Sequence, residues 1–187
     1  MSIGAFFDLD YTLLPYDSAP KWSRYLWQRG DISLLDVVQT AGWALQYKLS
    51  LLDLGKLLDK LTVRFVGVSE KDLEEKAQQF FAQAIRPFLL EQARQRVEWH
   101  RKQGHRLILL TSALEYWADP VAQELHMDSL FCTRLCVQDG KLIGGYEQPL
   151  CYGPGKVFYA EQEAEKHGLD LASSFFYSDS YVDLPML

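Results

Sequence analysis

Cysteine is scarce in this chain of 187 residues, which has three: Cys132, Cys136 and Cys151. Because the number is odd and no Cys-x-x-Cys spacing occurs, neither a disulfide framework nor a zinc site of paired cysteines is predicted. Residues 1–4 also lack the charged segment that precedes the apolar core of a secretion signal. We therefore expect a reducing, cytoplasmic location.

Long apolar runs and an excess of basic residues are absent as well. Polar residues interrupt the longest apolar region, 34–61, which lacks the ~18 consecutive apolar residues of a membrane span. Acidic residues outnumber basic ones, 25 to 19, giving a net charge of −6. This composition favours neither a membrane nor a nucleic-acid partner. An anionic ligand would need a locally positive pocket made by a cation, lysines or helix amides.

Three short apolar segments have the character of strands buried on both faces, as in a parallel sheet. They are residues 3–7, 107–110 and 174–177. Helices are predicted between them at 89–103, 115–125 and 156–167. Asp139-Gly140 predicts a tight turn that joins 131–137 to 141–146 in a β-hairpin. The alternation predicts an α/β fold with a doubly wound parallel sheet.

The region 18–88 differs from the rest, because its apolar residues recur at helical spacing without a convincing strand. We predict that it is a helical cap inserted into the α/β core. The predicted domains are 1–16 with 89–187 for the core, and 17–88 for the cap.

Polar residues follow each predicted strand, and ligands of doubly wound sheets bind outside the carboxyl ends of the strands. Asp8 and Asp10 follow the first strand, where residues i and i+2 point to the same side. Mg²⁺ suits such a pair, since it prefers oxygen ligands and leaves room for a substrate phosphate. One carboxylate could attack phosphorus, and the other could act as general acid and base. The alternative is that the pair caps a turn.

Later polar residues could complete the same crevice. Thr111 and Ser112 follow the second strand, Lys156 begins a predicted helix, and Asp179 and Asp183 follow the last strand. Taken singly, Thr111 or Ser112 could be a helix N-cap, and Lys156 could be a solvated residue at a helix start.

These segments resemble, in order, the four motifs of the haloacid dehalogenase superfamily of phosphohydrolases. Asp8, Asp10 and Thr12 match its first motif, Asp-x-Asp-x-Thr. The resemblance implies that Asp8 is a nucleophile that forms an aspartyl-phosphate. It also implies that Asp10 is the general acid and base.

The other three motifs imply the remaining roles. Thr111, with Ser112, and Lys156 would bind the phosphate. Asp179 would bind Mg²⁺ together with the two carboxylates of the first motif. Asp183 would act on the metal through water or orient Lys156.

Within the superfamily, the resemblance is closest to the phosphoserine-phosphatase-like branch, which carries a helical cap between its first two motifs. An acidic residue nine positions after the nucleophile faces the substrate ammonium there, and Asp17 has that spacing. Arg64 is a candidate substrate contact from the cap, although its spacing differs from that of the arginine expected in phosphoserine phosphatases. The resemblance implies a small amino alcohol phosphate as substrate, such as histidinol phosphate or phosphoserine.

Two other functions are compatible with an aspartate that accepts phosphate. One is a phosphotransferase or mutase, and the other is a non-enzymatic receiver-like module, which the inserted cap disfavours. Relatives of this kind continue past the fourth motif with another strand and helix, so we expect a longer natural chain. The sequence does not determine the oligomeric state.

Overall fold

A parallel sheet lies at the centre of the computed structural model, which describes residues 2–48 and 53–186. The strands are β1 (Gly4–Phe7), β2 (Arg106–Leu114), β3 (Ser129–Thr133), β4 (Leu135–Gln138), β5 (Lys141–Tyr146) and β6 (Phe175–Tyr177). The sheet has the order β3-β2-β1-β6 with parallel neighbours, and β4 and β5 form a separate antiparallel hairpin. All residues of β1 are buried, as expected for a strand covered on both faces.

Helices connect the strands and fill the predicted cap region. They are α1 (Ser18–Gln28), α2 (Leu34–Lys48), α3 (Leu54–Thr62), α4 (Glu70–Phe80), α5 (Glu91–Lys102), α6 (Glu115–Glu124) and α7 (Pro154–His167). Short 3-10 segments include Arg86–Phe88 and Tyr181–Met186. The part of the helical prediction that falls on 49–52 lies outside the described residues. No helix within the described ranges is long and apolar enough to cross a membrane.

Side chains of the central strands alternate between two buried clusters, one on each face of the sheet. Ala5 and Phe7 belong to the larger cluster, where Val121 of α6 also packs. Phe6 belongs to the smaller cluster, to which α7 contributes Ala160. Helices thus cover both faces, and the predicted α/β fold with a doubly wound parallel sheet is confirmed.

The hairpin β4–β5 is bonded to the helical region, although it follows β3 in the chain. The Gly67 N–H donates to the Leu142 carbonyl at 2.8 Å, and the Leu142 N–H donates to the Val68 carbonyl at 3.0 Å. The Gly145 N–H donates to Thr62 Oγ1 at 3.0 Å. These bonds join the predicted cap to part of the predicted core, and the domain boundaries stay a prediction.

Two strand boundaries differ from the sequence prediction. The segment predicted as one hairpin strand is divided at Arg134, because β3 pairs with β2 in the parallel sheet. The second strand continues to Leu114, four residues beyond its predicted end, and the Thr133 hydroxyl donates to the Ser112 carbonyl at 2.7 Å. Since Leu114 is the N-cap of α6, the alternative that Thr111 or Ser112 caps this helix is wrong.

His100 is fully buried and joins α5 to the edge strand β6. Its Nδ1 lies 2.7 Å from His105 Nδ1, and its Nε2 lies 2.8 Å from the Tyr177 hydroxyl. Burial, together with the smaller effects of the charges of His105 and Arg96, lowers the pKa of His100 to about 4. The fold therefore favours the neutral form of this imidazole.

Because the pKa of His100 is lower in the folded state than its ordinary value of 6.5, the unfolded chain binds the proton more readily. The free energy of unfolding should fall as the pH drops from 6.5 to about 4. We expect His100→Gln to remove this contribution, which is at most about 1.4 kcal/mol per pH unit, in urea unfolding at several pH values. The control is His126→Asn, which replaces an exposed histidine. If the free energy of unfolding of His100→Gln depended on pH as strongly as that of the wild type, the lowered pKa of His100 would be contradicted.

Candidate active site

A buried ammonium group links two carboxylates at the carboxyl end of β1. Lys156 Nζ lies 2.8 Å from Asp8 Oδ2 and 2.7 Å from Asp183 Oδ2. The Lys156 side chain is 2% exposed, so the alternative of a solvated helix start is wrong. Buried charges are stable when they are paired, and here one cation has two anionic partners.

The first turn of α7 places this lysine next to the strand. Gly153 precedes the helix with φ +51°, in a region that L side chains rarely adopt. A Cβ atom at Gly155 would overlap the Leu150 carbonyl, so the helix starts close to the preceding loop. The two glycines thus allow the backbone turn that directs Lys156 into the site.

The charges around Lys156 determine its protonation. Burial alone lowers the pKa of its ammonium, but Asp8 and Asp183 outweigh burial, and the net shift is upward. Lys156 is therefore a permanent cation at neutral pH. The Leu9 N–H donates to Asp8 Oδ1 at 2.7 Å, so both Asp8 oxygens are held in place. Ser178 Oγ donates to Asp183 Oδ2 at 2.6 Å and fixes that carboxylate too.

The second carboxylate of the Asp-x-Asp pair has different surroundings. The Ser18 N–H donates to Asp10 Oδ1 at 2.9 Å, and Ser18 Oγ donates to Asp10 Oδ2 at 3.1 Å. Burial and, to a lesser extent, the charge of Asp17 raise the pKa of Asp10 against the opposing effect of the Ser18 bonds, and the net pKa is about 7. A carboxyl group with a pKa near neutrality can both give and take a proton.

The predicted phosphate-binding residues of β2 lie beside the first motif. Leu109 is in register with Phe7, and Thr111 continues β2 two residues further toward the same edge. Thr111 is buried, and its Oγ1 accepts the Ala113 N–H at 3.2 Å. Thr12 Oγ1 is also buried, and it has no hydrogen-bond partner within the described part of the chain.

The carboxylates at the ends of β1 and β6 are chemically suited to a hard cation. Burial raises the pKa of Asp179, and the negative charges of Asp8 and Asp183 raise it further. Among residues 2–48 and 53–186, no three His, Cys, Asp or Glu side chains are grouped closely enough to bind a metal by themselves. Mg²⁺ typically uses only one or two carboxylates, with water and phosphate as its other ligands. The oxygen donors of Asp8 and Asp179 therefore fit Mg²⁺.

The two predicted cap contacts have different positions. Asp17 is the N-cap of α1, and its charge acts on Asp10, so it lies on the active-site side of the helical region. Arg64 lies 2.7 Å from Asp36 and over the ring of Trp43, at 4.9 Å from its centroid. Its contacts in the structure are thus made inside the helical region, and its role at the substrate stays a prediction.

Two residues connected to the predicted site, one directly and one through the other, were not identified from the sequence. Ser18 bonds to Asp10, and Trp117 Nε1 donates to Ser18 Oγ at 3.1 Å. Ser18 follows Asp17 at a helix start, where serine is common, and a tryptophan on an amphipathic helix is typical of a core residue. The only sequence signal was that Ser18 comes directly after a candidate substrate contact.

A family model for haloacid dehalogenase-like hydrolases matches residues 5–187 of this chain. The chain belongs to this family. The resemblance based on the four motifs is thereby confirmed.

Some curated relatives of this family member carry phosphatase names. The chain is 29% identical over 188 residues to a histidinol-phosphatase of Neisseria meningitidis serogroup C (strain 8013), covering 98% of this chain and 85% of the relative. It is 27% identical over 191 residues to a phosphoserine phosphatase of Mycobacterium tuberculosis (strain ATCC 25618 / H37Rv), covering 100% of this chain and 62% of that protein. These relatives support the prediction that this chain is a phosphatase.

Solved structures also resemble this family member. A protein of unknown function from Bordetella pertussis Tohama I superposes with a TM-score of 0.90 at 28% identity, covering 100% of this chain and 86% of that one. A structure of a phospho-aspartyl intermediate analogue of phosphoserine phosphatase superposes with a TM-score of 0.69 at 17% identity, covering 94% of this chain and 77% of that one. At this low identity, the likeness to the phosphoserine phosphatase structure supports the α/β fold of this chain and nothing further.

Removal of the buried cation should destabilise the folded chain. We expect Lys156→Met to lower the free energy of unfolding by about 3–5 kcal/mol, because it leaves the buried carboxylates of Asp8 and Asp183 without a cationic partner. The measurement is urea unfolding at pH 7 in EDTA, so that no metal replaces the lost charge.

A matched control removes a lysine from a more exposed ion pair. Lys76 Nζ lies 2.6 Å from Asp31 Oδ1, with 31% of the lysine side chain exposed. Lys76→Met should cost about 1 kcal/mol or less. If the two variants lost the same free energy of unfolding, the buried ion pairs of Lys156 would contribute no more to stability than a more exposed ion pair does.

Proposed function

We propose that this chain is a Mg²⁺-dependent phosphomonoesterase that hydrolyses a small phosphorylated metabolite through an aspartyl-phosphate on Asp8. The observation that carries the proposal is the buried bridge from Lys156 to Asp8 and Asp183, next to a carboxyl group whose pKa is about 7. Lys156 places one positive charge at the site, which offsets part of the negative charge of Asp8, Asp183 and a bound phosphate.

In the first half-reaction, an Asp8 oxygen forms a bond to phosphorus while the bond from phosphorus to the ester oxygen breaks. The leaving oxygen keeps the electron pair of that bond and takes a proton from Asp10, which releases the neutral alcohol. Lys156, Thr111 and Ser112 bind the phosphate oxygens. The products are the aspartyl-phosphate and ionised Asp10.

In the second half-reaction, a water oxygen attacks phosphorus and the bond to Asp8 breaks. Ionised Asp10 takes the proton of that water, so both carboxyl groups return to their starting states. The same group serves as acid and then as base, which a pKa near 7 permits.

The carboxylates proposed to hold Mg²⁺ are those of Asp8 and Asp179. Asp10, which the resemblance also assigns to the metal, bonds Ser18 through both carboxylate oxygens and is proposed here as the general acid and base. When bound, the ion offsets repulsion between the carboxylates and the phosphate. The bond from Lys156 to Asp183 supports the proposal that Asp183 orients the lysine. The buried cysteines, Cys132 and Cys151, are unpaired and are compatible with the proposed cytoplasmic location.

We propose that the substrate is an amino alcohol phosphate such as histidinol phosphate or phosphoserine. The negative charge of Asp17 acts on the site from the start of α1. It would repel a plain anion and attract an ammonium group on the same molecule as the phosphate. The names of the two curated relatives support both substrates.

Loss of the nucleophile should abolish turnover. We expect Asp8→Asn to reduce hydrolysis of p-nitrophenyl phosphate in Mg²⁺ by at least about 1,000-fold, because an amide is a poor nucleophile toward phosphorus. EDTA should abolish the activity of the wild-type enzyme in the same assay, because it removes Mg²⁺. Asp139→Asn, a matched change in the exposed hairpin turn, should leave activity unchanged. Full activity in Asp8→Asn would refute the proposed nucleophile.

Removal of the Asp17 charge should affect substrates according to their charge. Asp17→Asn keeps a good N-cap for α1 and removes the negative charge. We expect KM for phosphoserine or histidinol phosphate, whichever is turned over, to rise by about 10-fold, or about 1.4 kcal/mol. KM for p-nitrophenyl phosphate, which has no ammonium group, should change much less. Equal changes for both kinds of substrate would rule out the ammonium contact.

A further inference from the structure

A chain of three hydrogen-bonded groups ends on the carboxylate of Asp10. Trp117 Nε1 donates to Ser18 Oγ at 3.1 Å, and Ser18 Oγ donates to Asp10 Oδ2 at 3.1 Å. The Ser18 N–H donates to the other oxygen, Oδ1, at 2.9 Å. Both oxygens of one carboxylate are therefore bonded to one serine, which restricts rotation of the carboxylate plane.

The indole determines which way the serine hydroxyl points. An indole N–H is a donor only, whereas a hydroxyl has one proton and two lone pairs. Because Ser18 Oγ accepts from Trp117, its own proton is directed to Asp10. A donor at the start of such a chain also polarises the next bond.

The hydrogen-bonded chain of Trp117, Ser18 and Asp10, which we call the relay, is shielded from water and connects two parts of the fold. Ser18 is 0% exposed and Trp117 is 1% exposed, so solvent competes little for these bonds. Ser18 begins α1 in the helical region, and Trp117 lies on α6, which covers the sheet. Trp22 and Phe80 of the helical region pack on the Trp117 ring, with centroid distances of 5.5 and 5.6 Å.

We propose that Ser18 and Trp117 are positioning residues that hold the Asp10 carboxylate for proton transfer to the leaving group. The inference rests on the proposed function, in which Asp10 is the general acid. Neither residue touches the reacting atoms, and each acts through the next one. The packing of α1 against α6 thereby determines the orientation of the proton donor.

The test compares two substrates of similar size that differ in their need for a proton. Benzyl phosphate releases a strongly basic alkoxide, whereas p-nitrophenyl phosphate releases a stable phenolate that needs little protonation. We expect Ser18→Ala to lower kcat/KM for benzyl phosphate by about 10-fold or more, and for p-nitrophenyl phosphate by less than about threefold. Ser18→Thr keeps the hydroxyl and should restore the wild-type ratio of the two values.

Trp117→Phe provides a second variant that removes only the indole N–H and part of the ring. It should shift the ratio in the same direction as Ser18→Ala. The matched control is Trp22→Phe, which reduces the same aromatic cluster while all three bonds of the relay remain. The ratio in Trp22→Phe should equal that of the wild type.

Asp10→Asn, measured in parallel, separates failure of the relay from failure of the proposed function. If Asp10→Asn changes the ratio while Ser18→Ala lowers both values equally, the relay is refuted and the acid role of Asp10 stands. If Asp10→Asn leaves the ratio unchanged, the proposed acid role itself is refuted. A normal ratio in Trp117→Phe with a shifted ratio in Ser18→Ala would remove Trp117 from the relay.

Discussion

The site depends on one buried charge interaction, the ammonium of Lys156 held between the carboxylates of Asp8 and Asp183. These residues come from the first strand, the start of α7 and the segment after the last strand. An unpaired charge at such a depth would be costly, so each of the three segments requires the other two. The interaction that prepares the proposed nucleophile therefore also joins distant parts of the chain.

The parallel sheet explains why these segments meet. Leu109 and Tyr177 both lie in register with Phe7, the last residue of β1. All three strands run in the same direction, so the polar residues that follow them emerge at one edge. The buried faces of the sheet leave that edge as the place where polar chemistry can occur without disrupting the core.

Local patterns were sufficient to predict β1, the start of β2, β5, β6, most helices and the Asp-x-Asp pair, because apolar runs and turn residues act over short distances. They did not show that β2 continues to Leu114, since that extension depends on pairing with β3. The bond from Gly145 to Thr62 and the relay from Trp117 to Ser18 were missed for the same reason. Each joins residues far apart in sequence, and no single segment carries the information.

Two carboxylates only two residues apart acquire different surroundings because their partners come from different parts of the fold. Asp8 faces the cation of Lys156, which α7 supplies. Asp10 faces Ser18 at the start of α1, and burial with the nearby charge of Asp17 raises its pKa to about 7. Environments that separate paired carboxyl groups in this way allow one to be a nucleophile and the other a proton donor. The helical region therefore belongs to the proposed catalytic apparatus, since Asp17 and Ser18 at the start of α1 set the state of the proposed proton donor.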